Sequence, residues 1–168
     1  MLVKMTGIAI LLASSLLLPT QQVQAMQTSH SELKPFLSTS FQQILDSQPG
    51  QPLMLTIWSK TCTICMQKMP LLSELKKTWP TIHMITLSTD DIADSEQIRG
   101  ILLQHGLETA ENWIFADSNA QKLRYEIDPR WFGELPRTYF IDKTRQRKGI
   151  SGGLTREQYE AIFRELNN

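Results

Sequence analysis

The only two cysteines in the chain stand three residues apart, in the segment Trp58-Ser59-Lys60-Thr61-Cys62-Thr63-Ile64-Cys65. A Cys-x-x-Cys pair can close a short structural disulfide, supply half of a metal site, or cycle between dithiol and disulfide. Here the pair falls where an apolar run ends and a helical pattern begins. A cysteine in the first turn of a helix meets unpaired backbone N–H groups and the positive end of the helix dipole, and both favour thiolate over thiol. That placement predicts Cys62 as the nucleophile. Cys65, one turn deeper on the same helical face, is then the thiol that attacks a mixed disulfide and releases the partner. The cations Lys60 and Lys68 flank the pair and are predicted to support thiolate formation. A structural zinc site takes four protein ligands, and the histidines His30, His83 and His105 are scattered. A soft metal such as Cu(I), held by the two thiolates, stays open as an alternative.

Several elements must position this pair. Pro52 to Trp58 is nearly continuously apolar and reads as a central strand buried on both faces. The cysteine helix runs to about Thr78, with Met66, Met69, Leu72, Leu75 and Trp79 as its buried face, and the internal Pro70 predicts a kink. Upstream, Thr39-x-x-Gln42 and Ser40-x-x-Gln43 are overlapping capping boxes that predict a short helix through Leu45. Downstream follow a strand over Thr81–Ser88, a helix over Asp94–His105 ended by Gly106, and a short strand at Trp113–Phe115. A helix capped by Asp117 or Ser118 then runs to about Tyr125. The loop Asp128–Pro136 leads into a strand at Arg137–Asp142, a returning strand at Gln146–Ser151, and a last helix opened by Thr155-x-x-Gln158 that buries Tyr159, Ile162, Phe163 and Leu166. This order predicts an α/β fold with a mixed central sheet flanked by helices on both faces. Asp90-Asp91 reads as loop and cap chemistry, and the basic turn Lys143, Arg145, Arg147, Lys148 as a solvated hairpin tip. Trp131-Phe132 either pack the loop onto the sheet or offer an apolar docking surface.

The ends bound the setting. Lys4, an apolar run from Gly7 to Leu18, Pro19 and Val23-Gln24-Ala25 make residues 1–25 a predicted secretory signal peptide that is cleaved. The apolar run is shorter than the roughly 20 residues that span a bilayer. Residues 26–38 read as a polar, loosely ordered N-terminal extension, and 39–168 as one domain. With 17 basic and 17 acidic residues the chain carries no net formal charge, which argues against nucleic acid or acidic lipid as main partner. A lone, closely spaced cysteine pair in an exported chain suits catalysis better than stapling. No extended oligomerisation segment is visible, so a monomer is expected.

The chain resembles the thioredoxin superfamily, and within it the TlpA/ResA-like exported thiol-disulfide oxidoreductases. The resemblance rests on Trp58 four residues before the first cysteine, on Cys62-Thr63-Ile64-Cys65, on Met69-Pro70, and on Leu135-Pro136-Arg137-Thr138-Tyr139-Phe140-Ile141-Asp142. It implies a thioredoxin-like fold and a periplasmic enzyme that needs no organic cofactor beyond the redox disulfide. It also implies a cis Pro136 beside the disulfide, a Leu135 backbone that pairs with substrate, and Trp58 and Pro70 as supporting residues. The implied partners are exported proteins with thiols or disulfides, including those matured in cytochrome c assembly, and a redox-recycling protein for which a membrane-bound one is a candidate. Four positions depart from the pattern. Ile64 replaces a usual proline, Thr61 a common tryptophan, Thr56 the buried aspartate of thioredoxin, and Lys68 a frequent glutamate. The expected role is reductase. The alternatives are a disulfide oxidase or isomerase, favoured by the missing proline and the two lysines, and the Cu(I) carrier.

Overall fold

The computed structural model describes residues 32–167. The predicted signal peptide lies outside them. Among the described residues the elements are β1 (Leu33–Phe36), α1 (Ser40–Ser47), β2 (Leu53–Trp58), α2 (Thr63–Thr78), β3 (His83–Ser88), a 3-10 turn (Ile92–Asp94), α3 (Ser95–Gln104), β4 (Glu111–Phe115), α4 (Ala120–Ile127), β5 (Arg137–Ile141), β6 (Arg147–Ser151) and α5 (Arg156–Asn167). No helix among them is long and apolar enough to cross a membrane.

The strands form one six-stranded sheet in the order β1-β4-β3-β2-β5-β6. β1 to β4 run parallel, while β5 is antiparallel to both β2 and β6. β2 sits inside the sheet, and all six of its residues are buried. Strand alternation splits them between two layers. Met54 and Trp58 face a core with Cys65, Met69 and Leu72 of α2, Ile98 and Leu102 of α3, and Tyr159 and Phe163 of α5. Leu53, Leu55 and Ile57 face a second core with Phe41 and Ile44 of α1 and Leu123 and Ile127 of α4. An uninterrupted apolar run is what a strand covered by helices on both faces needs.

The strand directions bring the functional segments to one pole. Parallel β2 and β3 end there at Trp58 and Ser88, antiparallel β5 begins there at Arg137, and β6 ends there at Ser151. In α5 the predicted capping box forms: the Thr155 N–H donates to Gln158 Oε1 at 2.8 Å and the Gln158 N–H to Thr155 Oγ1 at 3.4 Å.

Three local readings need correction. The segment read as loosely ordered up to Ser38 contains β1, which pairs with β4 through Leu33–Phe36. Leu33 and Phe36 are buried, and Pro35 is tolerated because an edge strand has no outer neighbour that needs its N–H. The capping boxes before α1 do not form. Thr39 has φ 76° and makes no side-chain cap bond, while Ser40 Oγ accepts the Leu37 N–H at 2.9 Å. The cap of α4 is Asn119, whose Oδ1 accepts the Lys122 N–H at 2.9 Å, and Asp117 instead receives the Asn119 N–H.

Candidate active site

β2 delivers the chain to the pole of the sheet at Trp58, and the turn Ser59–Thr61 swings it onto α2. The Cys62 N–H closes that turn on the Ser59 carbonyl at 3.0 Å. Cys62 is the N-cap of α2, with extended backbone, and its Sγ accepts the Cys65 N–H at 3.2 Å. A sulfur in this position takes up one of the donors a helix start leaves unpaired. Cys62 and Cys65 are joined in a disulfide with a Cα–Cα separation of 5.2 Å. The two sulfurs are not equivalent: Cys62 is partly exposed, whereas Cys65 is 2% exposed and belongs to the core beneath α2. Only one of them is open to a macromolecular partner.

Trp58 is 1% exposed and packs in the same core as Cys65. The β2–β5 register pairs Ile57 with Arg137, so Pro136 lies beside the end of β2 where the cysteine turn begins. The Leu135–Pro136 peptide bond is cis. Pro136 is buried, its carbonyl accepts the Gly152 N–H at 2.8 Å, and the partly buried Leu135 touches both cores. Gly153 approaches α2 so closely that an added Cβ would lie 2.8 Å from Lys68 Cε and 2.9 Å from Ile64 Cγ2. The structure thus gathers Cys62, Cys65, Trp58, Leu135 and Pro136 at one pole, with Lys68 at the Gly153 edge. Pro70 lies farther along α2, exposed and inside the helix.

Lys60 points elsewhere. Its Nζ sits 2.7 Å from Asp94 Oδ1 and 2.9 Å from Gln97 Oε1, so its charge is matched by the start of α3. The loop before Pro136 is fixed by Asp128, which is 3% exposed. Its carboxylate accepts the Arg130 N–H at 3.0 Å and, at 3.3 Å each, the Tyr139 hydroxyl and Arg137 Nη2. Burial pushes the Asp128 pKa up, but the Arg130 and Tyr139 hydrogen bonds and the Arg130 and Arg147 charges outweigh it and hold it below its ordinary value. Burial pushes Tyr139 up to about 12. Trp131 packs in the core and donates from Nε1 to the Glu134 carbonyl at 3.0 Å, while Phe132 is 83% exposed. Trp131 thus packs the loop onto the sheet, and Phe132 stays exposed beside it.

Sequence reasoning missed Asp90, Asp94 and Gly153. Asp91 does cap the 3-10 turn, through the Ala93 N–H at 2.8 Å, but Asp90 reaches back to Ser59 and Lys60. Among the described residues no group of three or more His, Cys, Asp or Glu is placed to hold a metal ion.

No family model and no curated protein matches the chain. Solved structures do match it in shape. A secreted disulfide oxidoreductase of Mycobacterium tuberculosis superposes with a TM-score of 0.60 at 17% identity, over 71% of this chain and 85% of that one. The fold is thioredoxin-like. A thioredoxin-family thiol:disulfide interchange protein of Chlorobium tepidum gives 0.60 at 15% identity, over 73% and 83% of the two chains. The exposed lipoprotein thioredoxin of Streptococcus pneumoniae gives 0.54 at 20% identity, over 73% and 90%.

Proposed function

We propose that this protein is a periplasmic thiol-disulfide oxidoreductase that reduces disulfides of exported proteins, cytochrome c precursors being one candidate class. One observation carries the reading: a disulfide at a helix N-terminus with one partly exposed sulfur and one buried sulfur. The structural neighbours named above, described as a disulfide oxidoreductase, an interchange protein and a thioredoxin, support it. In the reduced protein the Cys62 thiolate attacks a substrate disulfide, and one substrate sulfur leaves as thiolate and takes a proton from water. Cys65 then loses its proton and attacks Cys62 Sγ. The mixed disulfide breaks, the second substrate thiolate leaves, and the Cys62–Cys65 disulfide forms. Two electrons pass to the substrate, and a redox-recycling protein must return them. Leu135 offers backbone for an extended substrate segment beside Pro136. No step requires an organic cofactor.

The reading is tested by equilibrating the pair against glutathione and by cysteine variants. Cys62→Ser abolishes exchange, and Cys65→Ser accumulates a mixed disulfide with substrate. A reduction potential of roughly −270 mV or below supports a reductase, whereas one near about −120 mV makes the protein a disulfide donor. Stoichiometric Cu(I) bound by both thiolates, without turnover, replaces the enzyme by a metal carrier.

A further inference from the structure

The turn that precedes the nucleophile is held by a carboxylate that the exchange steps do not use. Asp90 lies two residues beyond β3. Its Oδ1 accepts the Ser59 hydroxyl at 2.9 Å, and its Oδ2 accepts the Lys60 backbone N–H at 2.9 Å and the Ser88 hydroxyl at 2.7 Å. Ser59 Oγ in turn accepts the Thr61 N–H at 3.2 Å. From the same connection Asp94 holds the Lys60 ammonium, and the Thr89 N–H donates to the Trp58 carbonyl at 2.9 Å. All three residues between Trp58 and Cys62 are tied, directly or through Ser59, to residues 88–97. The balance of Asp90, Asp94 and Lys60 is one net negative charge beside the turn.

We propose that Asp90 is a positioning residue for Cys62, fixing the Ser59–Thr61 turn that seats the sulfur on the helix N-terminus and opposing, with its charge, the pull of that terminus toward thiolate. The inference rests on the exchange reading and deepens it, because it places the electrostatic setting of the pair on the β3–α3 connection. A negative charge close to a thiol disfavours the thiolate, and an ion-paired lysine does little to restore it. The other charged residues of this pole include Lys68 on α2, Asp91, Asp117 after β4, which lines one pocket with Asp90 and accepts the Asn119 N–H, and Glu134 and Arg137 on either side of Leu135–Pro136. Asp91 is engaged with the Ala93 N–H, and Arg137 with Asp128 and Ser151.

The test compares Asp90→Asn, Asp90→Ala, Asp94→Asn and the control Asp91→Asn in the reduced protein. Three quantities are read: the Cys62 thiol pKa from the pH dependence of iodoacetamide alkylation, the potential against glutathione, and the urea midpoint. Both Asp90 variants lower the thiol pKa by about half a unit, as expected for one charge acting through a mostly aqueous path, and move the potential in the oxidising direction. Asp94→Asn does the same by freeing Lys60, and Asp91→Asn leaves the thiol pKa and the potential unchanged. Asp90→Ala, which removes every acceptor, also slows exchange about tenfold at matched thiolate fraction, whereas Asp90→Asn stays within about twofold. If the Asp90 variants change only the urea midpoint, Asp90 merely folds the turn and the inference is overturned. Absence of any reversible couple in the unsubstituted protein would instead remove the exchange reading, and this inference with it.

Discussion

Thr56 lies in the middle of β2, between Thr86 of β3 and Thr138 of β5, and is 2% exposed. Its hydroxyl has no hydrogen-bond partner among the described residues. A buried hydroxyl left unpaired costs about 1–3 kcal/mol, and valine has nearly the same shape. Thr56→Val is therefore expected to stabilise the fold by about 1 kcal/mol, read as a higher urea midpoint at unchanged slope. A lower midpoint would mean that the hydroxyl has a partner such as a buried water. Residue type and spacing singled out Cys62 and Cys65, the resemblance singled out Trp58 and Pro136, and the structure brings all four to one pole. Asp90 gave no such signal. An acidic pair after a strand is ordinary loop chemistry, and the role of Asp90 comes from hydrogen bonds to residues some thirty positions earlier, which only the adjacency of β2 and β3 supplies.

Three strands meet at Glu111, at the opposite end of the sheet. His83 of β3 lies 2.7 Å from its Oε2, and Lys34 of β1 lies 2.8 Å from Oε1, which also accepts the Trp113 indole N–H at 3.0 Å. The His83 hydrogen bond above all, with Lys34 and Trp113 and against the opposing effect of burial, holds the Glu111 carboxyl down at about 2. A depressed carboxyl pKa gives stability that is complete above its ordinary value of 4.5 and is lost as pH falls from there toward about 2. Between pH 5 and 3 the unsubstituted protein should lose about 1–2 kcal/mol more than Glu111→Gln, after allowance for the solvent that reaches the site. Urea unfolding at several pH values measures the difference, and equal slopes would discount the pairing. β2, α2 and α5 were readable because each is long and strongly patterned. β1 was not, since four residues with one lysine and one proline bury only Leu33 and Phe36. The false capping boxes at α1 have the right residues, but the left-handed backbone at Thr39 turns its side chain out of capping geometry.

For the entire domain, folding and redox state are linked through one thermodynamic cycle. A pair that is a stronger reductant in the folded protein than in the unfolded chain makes the oxidised fold the more stable one, by about 1.4 kcal/mol for each 30 mV of difference. The reductase reading therefore expects the oxidised protein to unfold at higher urea than the reduced one. The reverse order identifies a disulfide donor. This experiment needs no substrate. The fold class was visible in the order of strands and helices. What the order could not supply was the meeting of four separate segments at the pole where Cys62 sits, because strand adjacency is settled by packing rather than by sequence.

The direction of β1 has a consequence for presentation. β1 runs parallel to β4, so Leu33 lies toward the pole of Glu111 and Phe36 toward the pole of Cys62. Whatever chain precedes Glu32 joins the domain at the end remote from the sulfur. A protein held on a surface by a short connection at Glu32 would turn its reactive face outward, toward clients that diffuse past, and keep its salt-bridged underside against the support.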